Sequence, residues 1–163
     1  MTTSKPTTQS AADRRSAEAE LTKLIAKFAP TDQALVGTMR RSFRKHLPGA
    51  YEVVYEYSDS VVISLSPDER GYEGVLAIRV SEKGVDLYFN RGKALSDPEK
   101  LLQGSAKLVR FIHMEGASTL KRPAVARLID EAIAQASVPF ATTGRGPVII
   151  RSTTAKKRQA KSA

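Results

Sequence analysis

Apolar residues recur every three or four positions near both ends of the chain, and this spacing predicts amphipathic helices. The first helix is predicted over residues 16–28, the second from residue 31 to about residue 46, and the last over residues 123–136. Each segment places its apolar residues on one side and its polar residues on the other. A proline follows each segment within a few residues, so each helix is expected to stop there.

In the middle of the chain, alternating residues and short apolar runs lie between turn residues, which predicts strands. The strands are expected over residues 51–57, 61–65, 74–81, 85–90, 108–114 and 147–151. Before the fifth of these, Asp97 and Gly104 are expected to bracket a short helical turn. Short connections favour antiparallel neighbours. We therefore expect an α+β fold, with an antiparallel sheet of about five to six strands and the N-terminal and C-terminal helices packed on one face.

The chain has 163 residues, which fits one domain, and its 41% of hydrophobic residues can supply one core. The domain is expected to cover residues 16–152. Residues 1–15 lack apolar periodicity and predict a disordered arm, and residues 153–163 predict a flexible basic tail. Neither a signal peptide nor a membrane span is recognisable, so a cytoplasmic location is expected.

The net charge of +9 is unevenly distributed along the chain. Six basic residues and no acids follow Gly144, which leaves only +3 for the rest of the protein. The charge therefore predicts no nucleic-acid-binding face on the fold itself. Lys156, Lys157 and Arg158 could still contact phosphates non-specifically. Several aromatic residues of the predicted sheet could stack on bases, although packing is their commoner role: Tyr51, Tyr55, Tyr57, Tyr88 and Phe89.

The sequence contains no recognisable catalytic constellation. The absence of cysteine excludes disulfides, thiolate metal sites and a cysteine nucleophile. His46 and His113 are far apart and have no partner at helical spacing, so no metal site is predicted. No phosphate-binding loop is present, and the turn Gly144-Arg145-Gly146 is too short to count as one. A non-enzymatic protein without a cofactor is therefore favoured.

Arg110 is the most informative single residue, because it lies among apolar positions on one face of the fifth strand. A buried guanidinium needs a carboxylate or backbone acceptors. The favoured interpretation is that Arg110 fastens the Asp97 turn to the sheet, and the alternative is that Arg110 lines a pocket for an anionic ligand. For His113, a hydrogen-bonded structural role is favoured over a role as ligand or base. The candidate ligand-binding residues are Arg110, Asp97, Arg91, Lys107 and His113.

The end of the second helix carries a basic cluster: Arg40, Arg41, Arg44, Lys45 and His46. The helix dipole favours cations at this end, so a solvated surface is the favoured interpretation. Binding of phosphate or of an acidic partner is the alternative. Glu52 and Glu56 lie on the face of the first strand opposite its tyrosines, where they are expected to face solvent or to cap a pocket.

Several residues of the second half together resemble the YdhG-like domain family. The pattern consists of Leu87-Tyr88-Phe89, Gly92, Leu95, Asp97-Pro98, Leu101-Leu102, Gly104, Lys107, Val109-Arg110 and Ile112. The stretch from Gly144 to Ser152, followed by Ala155-Lys156-Lys157-Arg158, is similar to the C-terminal extension of one subgroup, whose Arg-Pro-Arg ending is missing here. The resemblance covers roughly residues 35–158 and is most specific over residues 92–110.

The resemblance implies a bacterial protein with a compact α+β fold related to frataxin, in a family of unknown function. Some members are linked to intracellular iron delivery by analogy with frataxin. The iron-related surface of frataxin is an acidic first helix, whereas the second helix here is markedly basic. We therefore expect a binding or adaptor domain for a small anionic ligand or a protein partner. The alternatives are an iron or metal carrier and weak nucleic-acid association through the basic tail.

Overall fold

The alternating segments form one six-stranded sheet in the computed structural model, which describes residues 8–71 and 73–152. The strands are β1 (Tyr51–Glu56), β2 (Ser60–Ser66), β3 (Leu76–Ser81), β4 (Gly84–Phe89), β5 (Arg110–His113) and β6 (Val148–Ser152). Their order across the sheet is β5-β4-β3-β2-β1-β6. Strands β1 to β5 pair antiparallel with their neighbours, whereas β6 pairs parallel to β1. The α+β class is confirmed, and the sheet is mixed because the chain reaches β6 through a helical crossover.

Three helices pack on one face of this sheet: α1 (Ala11–Ile25), α2 (Pro30–His46) and α3 (Pro123–Ala134). Helix α1 begins at Ala11 rather than at residue 16, because the Ser10 hydroxyl accepts a hydrogen bond from the Asp13 N–H and caps the helix. Residues 11–15, predicted as part of a disordered arm, are therefore helical. Residues 1–7 of that arm and the predicted tail at residues 153–163 lie outside the described residues.

The core lies between the helices and the sheet face that carries Val61, Ile63 and Leu65 of β2. Cross-strand partners share a face, so Ile78 and Leu87 lie beside Ile63 in the same buried layer. The helices close this layer with Leu21, Val36, Met39, Phe43, Val125, Leu128 and Ile129. The apolar helix faces predicted from the sequence therefore pack in the core.

The opposite face of the sheet carries polar and aromatic side chains. The rings of Tyr88 and Phe111 stack there with their centroids 5.1 Å apart. The guanidinium of Arg151 donates hydrogen bonds to the carbonyls of Glu69 and Arg70, so the loop between β2 and β3 is tied to β6. Within the described residues, the structure holds no helix of the length and apolar character that a membrane crossing needs.

The segment before α1 is attached to the outer edge of β6. The side-chain amide of Gln9 donates to the Val148 carbonyl at 2.9 Å and accepts from the Val148 N–H at 3.0 Å. Both bonds lie between residues that are far apart in the sequence. The N-terminal segment and the last strand are therefore held together.

The segment at residues 97–104 does not form the predicted helical turn. A 3-10 turn occurs earlier, at Gly92–Ala94, and residues 97–104 contain no helix. The carboxylate of Asp97 accepts hydrogen bonds from the N–H groups of Leu101 and Leu102 at 2.8 and 2.9 Å. The prediction was wrong because aspartate stabilises a non-helical turn by the same kind of side-chain bond that caps a helix.

Candidate functional site

The predicted bond between Arg110 and Asp97 is not formed, so the favoured interpretation of Arg110 was wrong. The Nη1 of Arg110 donates instead to the carbonyl oxygens of Ala106 and Val109. The Asp97 carboxylate is already occupied by the backbone of its own turn. Arg110 therefore stabilises the loop that leads into its own strand.

Arg110 also lies apart from the cavity described below. Gly92 packs directly against the Arg110 side chain, and a Cβ at position 92 would collide with it. This close approach covers the aliphatic part of Arg110 and explains the need for glycine. Among the described residues, the structure gives Arg110 backbone acceptors in place of a ligand.

His113 and Lys107, two further predicted ligand residues, also lie away from that cavity. The Nδ1 of His113 is 2.8 Å from a carboxylate oxygen of Asp86, its cross-strand neighbour on the open face of the sheet. His113 is thus hydrogen-bonded, in agreement with the structural role favoured for it from the sequence. Lys107 is exposed in the loop before β5. Lys156, Lys157 and Arg158, the predicted nucleic-acid contacts, fall outside the described residues.

A cavity of about 220 Å³ opens between the start of β3, the end of β4 and the C-terminal end of α3. The apolar lining consists of Val75, Phe89, Leu95, Leu108, Ala132 and Ala136, and the polar lining of Glu73, Gly74, Asn90, Arg91, Gln135 and Ser137. An apolar floor with a few polar groups at the rim is typical of small-molecule sites.

Arg91 is the one predicted ligand residue that lines this cavity. Its Nη1 donates to the Ser137 hydroxyl at 2.8 Å, which links the Gly92–Ala94 turn to the end of α3. A guanidinium has five N–H donors, so this bond leaves most of them for a ligand. The amide of Asn90 donates to the Gly74 carbonyl at 2.6 Å and fixes the opposite part of the rim.

Sequence reasoning found Arg91 but not the cavity around it. The lining comes from three stretches, residues 73–75, 89–95 and 132–137, together with Leu108. Their convergence depends on how β4 and α3 cross, and no local pattern encodes that crossing. The only sequence signal for Arg91 was its position as a positively charged residue directly before the segment from Gly92 to Gly104.

A second polar cluster, which the sequence analysis missed, lies between α1, α2 and β1. Arg40 makes two bidentate pairs, one with Glu52 at 2.6 and 3.0 Å and one with Glu18 at 2.7 and 2.8 Å. Arg44 joins it through Glu52 at 3.2 Å. The Arg40 and Glu52 side chains are only 11% and 8% exposed, so the solvated surface favoured for Arg40 was wrong, and Glu52 lines a small groove rather than facing solvent, the second of its two predicted alternatives. Glu52 lies two residues from the buried Val54, which turns its carboxylate towards the helices.

The charges in this cluster stabilise one another. Burial works against the charged form of Arg40, but the hydrogen bonds that it donates to Glu18 and Glu52 outweigh this effect and raise the pKa of Arg40 above its usual value. The hydrogen bond from Arg40 also lowers the pKa of Glu18, against the opposing effect of burial. Arg40 and Glu18 therefore stay ionised at neutral pH, and the cluster fastens α1 and α2 to the sheet.

The lowered pKa of Glu18 predicts a dependence of stability on pH. A carboxyl with a depressed pKa in the folded state stabilises the fold above its ordinary value of 4.5, and this contribution disappears as the pH falls below it. The difference in free energy of unfolding between the wild-type protein and Glu18→Gln should therefore be largest at neutral pH and shrink in acid. Urea unfolding at a series of pH values measures it, and a difference that stays constant with pH contradicts the prediction.

Within residues 8–71 and 73–152, no group of three or more His, Cys, Asp or Glu side chains is placed to hold one metal ion. Comparisons of the chain with family models, curated proteins and solved structures found no match. The resemblance to the YdhG-like family and to frataxin therefore stays a prediction from the sequence.

Proposed function

We propose that the protein binds a small anionic ligand in the cavity beside Arg91. The observation that carries this proposal is an exposed arginine, hydrogen-bonded to Ser137, at the rim of a cavity with a partly apolar lining. Ser137 holds the Arg91 side chain by one hydrogen bond, so its remaining donors are available in a defined direction. A carboxylate is the natural partner, because two parallel N–H groups of arginine match its two oxygens.

The size and lining of the cavity define the ligand further. Its volume of about 220 Å³ is below the ~300–1,000 Å³ of sites for drug-sized molecules, which favours a small metabolite. Phe89, Leu95 and Ala132 offer apolar contact on the floor. Gln135 and Ser137 add hydrogen-bonding groups at the end of α3. The expected ligand has an anionic end at Arg91 and a short apolar body against Phe89.

The proposed function is binding of this ligand, without a chemical reaction. The iron-carrier alternative has no candidate ligand cluster in the described part of the chain. The nucleic-acid alternative depends on Lys156, Lys157 and Arg158, which the structure does not describe. The cytoplasmic location likewise stays a prediction from the sequence.

Replacement of Arg91 by alanine tests the proposal. Because hydrogen bonds to charged groups contribute about 1.5–3 kcal/mol, Arg91→Ala should weaken binding of the ligand about tenfold or more. Native mass spectrometry of the full chain, incubated with a mixture of small carboxylic acids, should show an adduct that Arg91→Ala loses. Titration calorimetry with the retained acid then gives the affinity.

Lys93→Ala is the matched control, because Lys93 lies in the same 3-10 turn and does not line the cavity. It removes one positive charge nearby and should keep the adduct. Equal loss in the two variants, or no adduct with the wild-type protein, would contradict the proposal.

A further inference from the structure

The turn Gly144-Arg145-Gly146 lies against the cluster of Arg40, Glu18 and Glu52. We propose that Arg145, Arg44 and Arg14 form an anion site around this turn that takes a phosphate group. The site is separate from the cavity at Arg91 and shares no lining residue with it.

Two glycines determine where Arg145 lies. Gly144 has a φ of 82°, in the left-handed region that favours glycine. A Cβ on Gly146 would collide with the backbone carbonyl of Ala50, and the Gly146 N–H donates to the Pro48 carbonyl at 3.0 Å. The backbone on both sides of Arg145 is therefore held in place, although the Arg145 side chain is exposed.

Three arginines meet at this turn from different elements. Arg14 of α1 donates from both Nη atoms to the Gly146 carbonyl at 3.3 Å. Arg44 of α2 lines the same small groove as Arg145 and uses one nitrogen for Glu52. The groove has a volume of only about 10 Å³, which is too small to enclose a phosphate group, so a phosphate would lie across its mouth beside the exposed Arg145.

The charges around the groove do not cancel. Among the described residues, the charged groups at this groove and the adjoining turn include the guanidinium groups of Arg14, Arg40, Arg44 and Arg145 and the carboxylates of Glu18 and Glu52, which gives four positive charges against two negative ones. Arg40 uses its hydrogen bonds on the two carboxylates, so the excess belongs to the other three arginines. Burial, followed by repulsion from Arg145 and Arg44, lowers the pKa of Arg14, which agrees with this surplus.

A phosphate group fits the surplus better than a carboxylate does. A phosphate monoester carries about −1.5 to −2 charges at pH 7 and three strong acceptor oxygens. Those oxygens can accept hydrogen bonds from several guanidinium groups at once. A single carboxylate would neutralise half of the excess and use fewer of the donors.

Titration of the full chain with inorganic phosphate at constant ionic strength tests the site. The wild-type protein is expected to bind, and Arg145→Gln should weaken the affinity about tenfold, because it removes a charged hydrogen-bond donor from an exposed position that the fold does not need. Arg41→Gln is the control, since Arg41 is exposed on the same helix α2 and donates only to Thr38 of that helix. It removes the same charge and should leave the affinity unchanged.

A single-stranded oligonucleotide in the same assay identifies the source of the phosphate. If it displaces inorganic phosphate and its own binding is weakened by Arg145→Gln, the phosphate belongs to a nucleic-acid backbone. If it does not displace inorganic phosphate, the phosphate belongs to a small molecule. The inference is overturned if neither probe binds, or if Arg41→Gln and Arg145→Gln weaken binding equally. Arg91→Ala should leave phosphate binding intact, so the proposed phosphate site and the proposed ligand site in the cavity can be refuted independently of each other.

Discussion

Replacement of Arg40 by alanine is expected to lower the free energy of unfolding by about 3–5 kcal/mol, because it leaves the buried carboxylate of Glu52 without its main partner. Glu52 is 8% exposed and takes two of its hydrogen bonds from Arg40. Arg44 reaches only one oxygen of Glu52, at 3.2 Å, and cannot replace both bonds. Urea unfolding monitored by circular dichroism at neutral pH measures the loss.

The matched control is Arg127→Ala on α3. Arg127 also pairs with a glutamate, Glu99, at 3.3 Å, but both side chains are more than half exposed. Exposed pairs contribute only about 0–1 kcal/mol, because water competes for both charges. Similar losses in the two variants would show that the Arg40 cluster is solvated and that its burial contributes nothing.

Replacement of Phe89 by alanine should also cost about 3–5 kcal/mol, because it removes a fully buried ring and leaves a void. Phe89 lies in the buried layer of β4 and also forms part of the floor of the Arg91 cavity. The void should therefore merge with that cavity. Urea unfolding measures the change in stability, and binding of longer carboxylic acids measures the change in cavity size.

Leu108→Ala is the control for this variant, since Leu108 lines the same cavity and is 54% exposed. Truncation of an exposed side chain should change the stability by no more than about 0.5 kcal/mol. If Phe89→Ala lowered the free energy of unfolding as little as Leu108→Ala does, the floor of the cavity would not be part of the core.

The strands were predictable because their apolar period is local and the core uses that period directly. Val61, Ile63 and Leu65 share a face in any strand, and the structure places that face on the core. The start of α1 was missed because its first turn is exposed and polar, so no apolar stripe marks residues 11–15. Its marker was the capping hydroxyl of Ser10, a weaker signal.

The candidate site was only partly predictable, since side-chain partners depend on distant segments. Arg110 was predicted to pair with the Asp97 turn, but carbonyl groups of the preceding loop accept its hydrogen bonds. Arg40 looked solvated on its helix, but a carboxylate of β1 lies beneath it. The position of the Arg40 partner was set by the packing of the helices on the sheet, whereas Arg110 finds its acceptors only one and four residues earlier, in a loop whose path no sequence pattern gives.

The attachment of Gln9 to β6 has a consequence for association between copies of the chain. Strand β6 is at the edge of the sheet, where unpaired backbone groups can recruit a strand from another molecule. The Gln9 amide supplies one donor and one acceptor to Val148, as the backbone of a further strand would. A single side chain thus occupies the polar groups at which intermolecular strand pairing along β6 would begin, and it helps to protect this edge against aggregation.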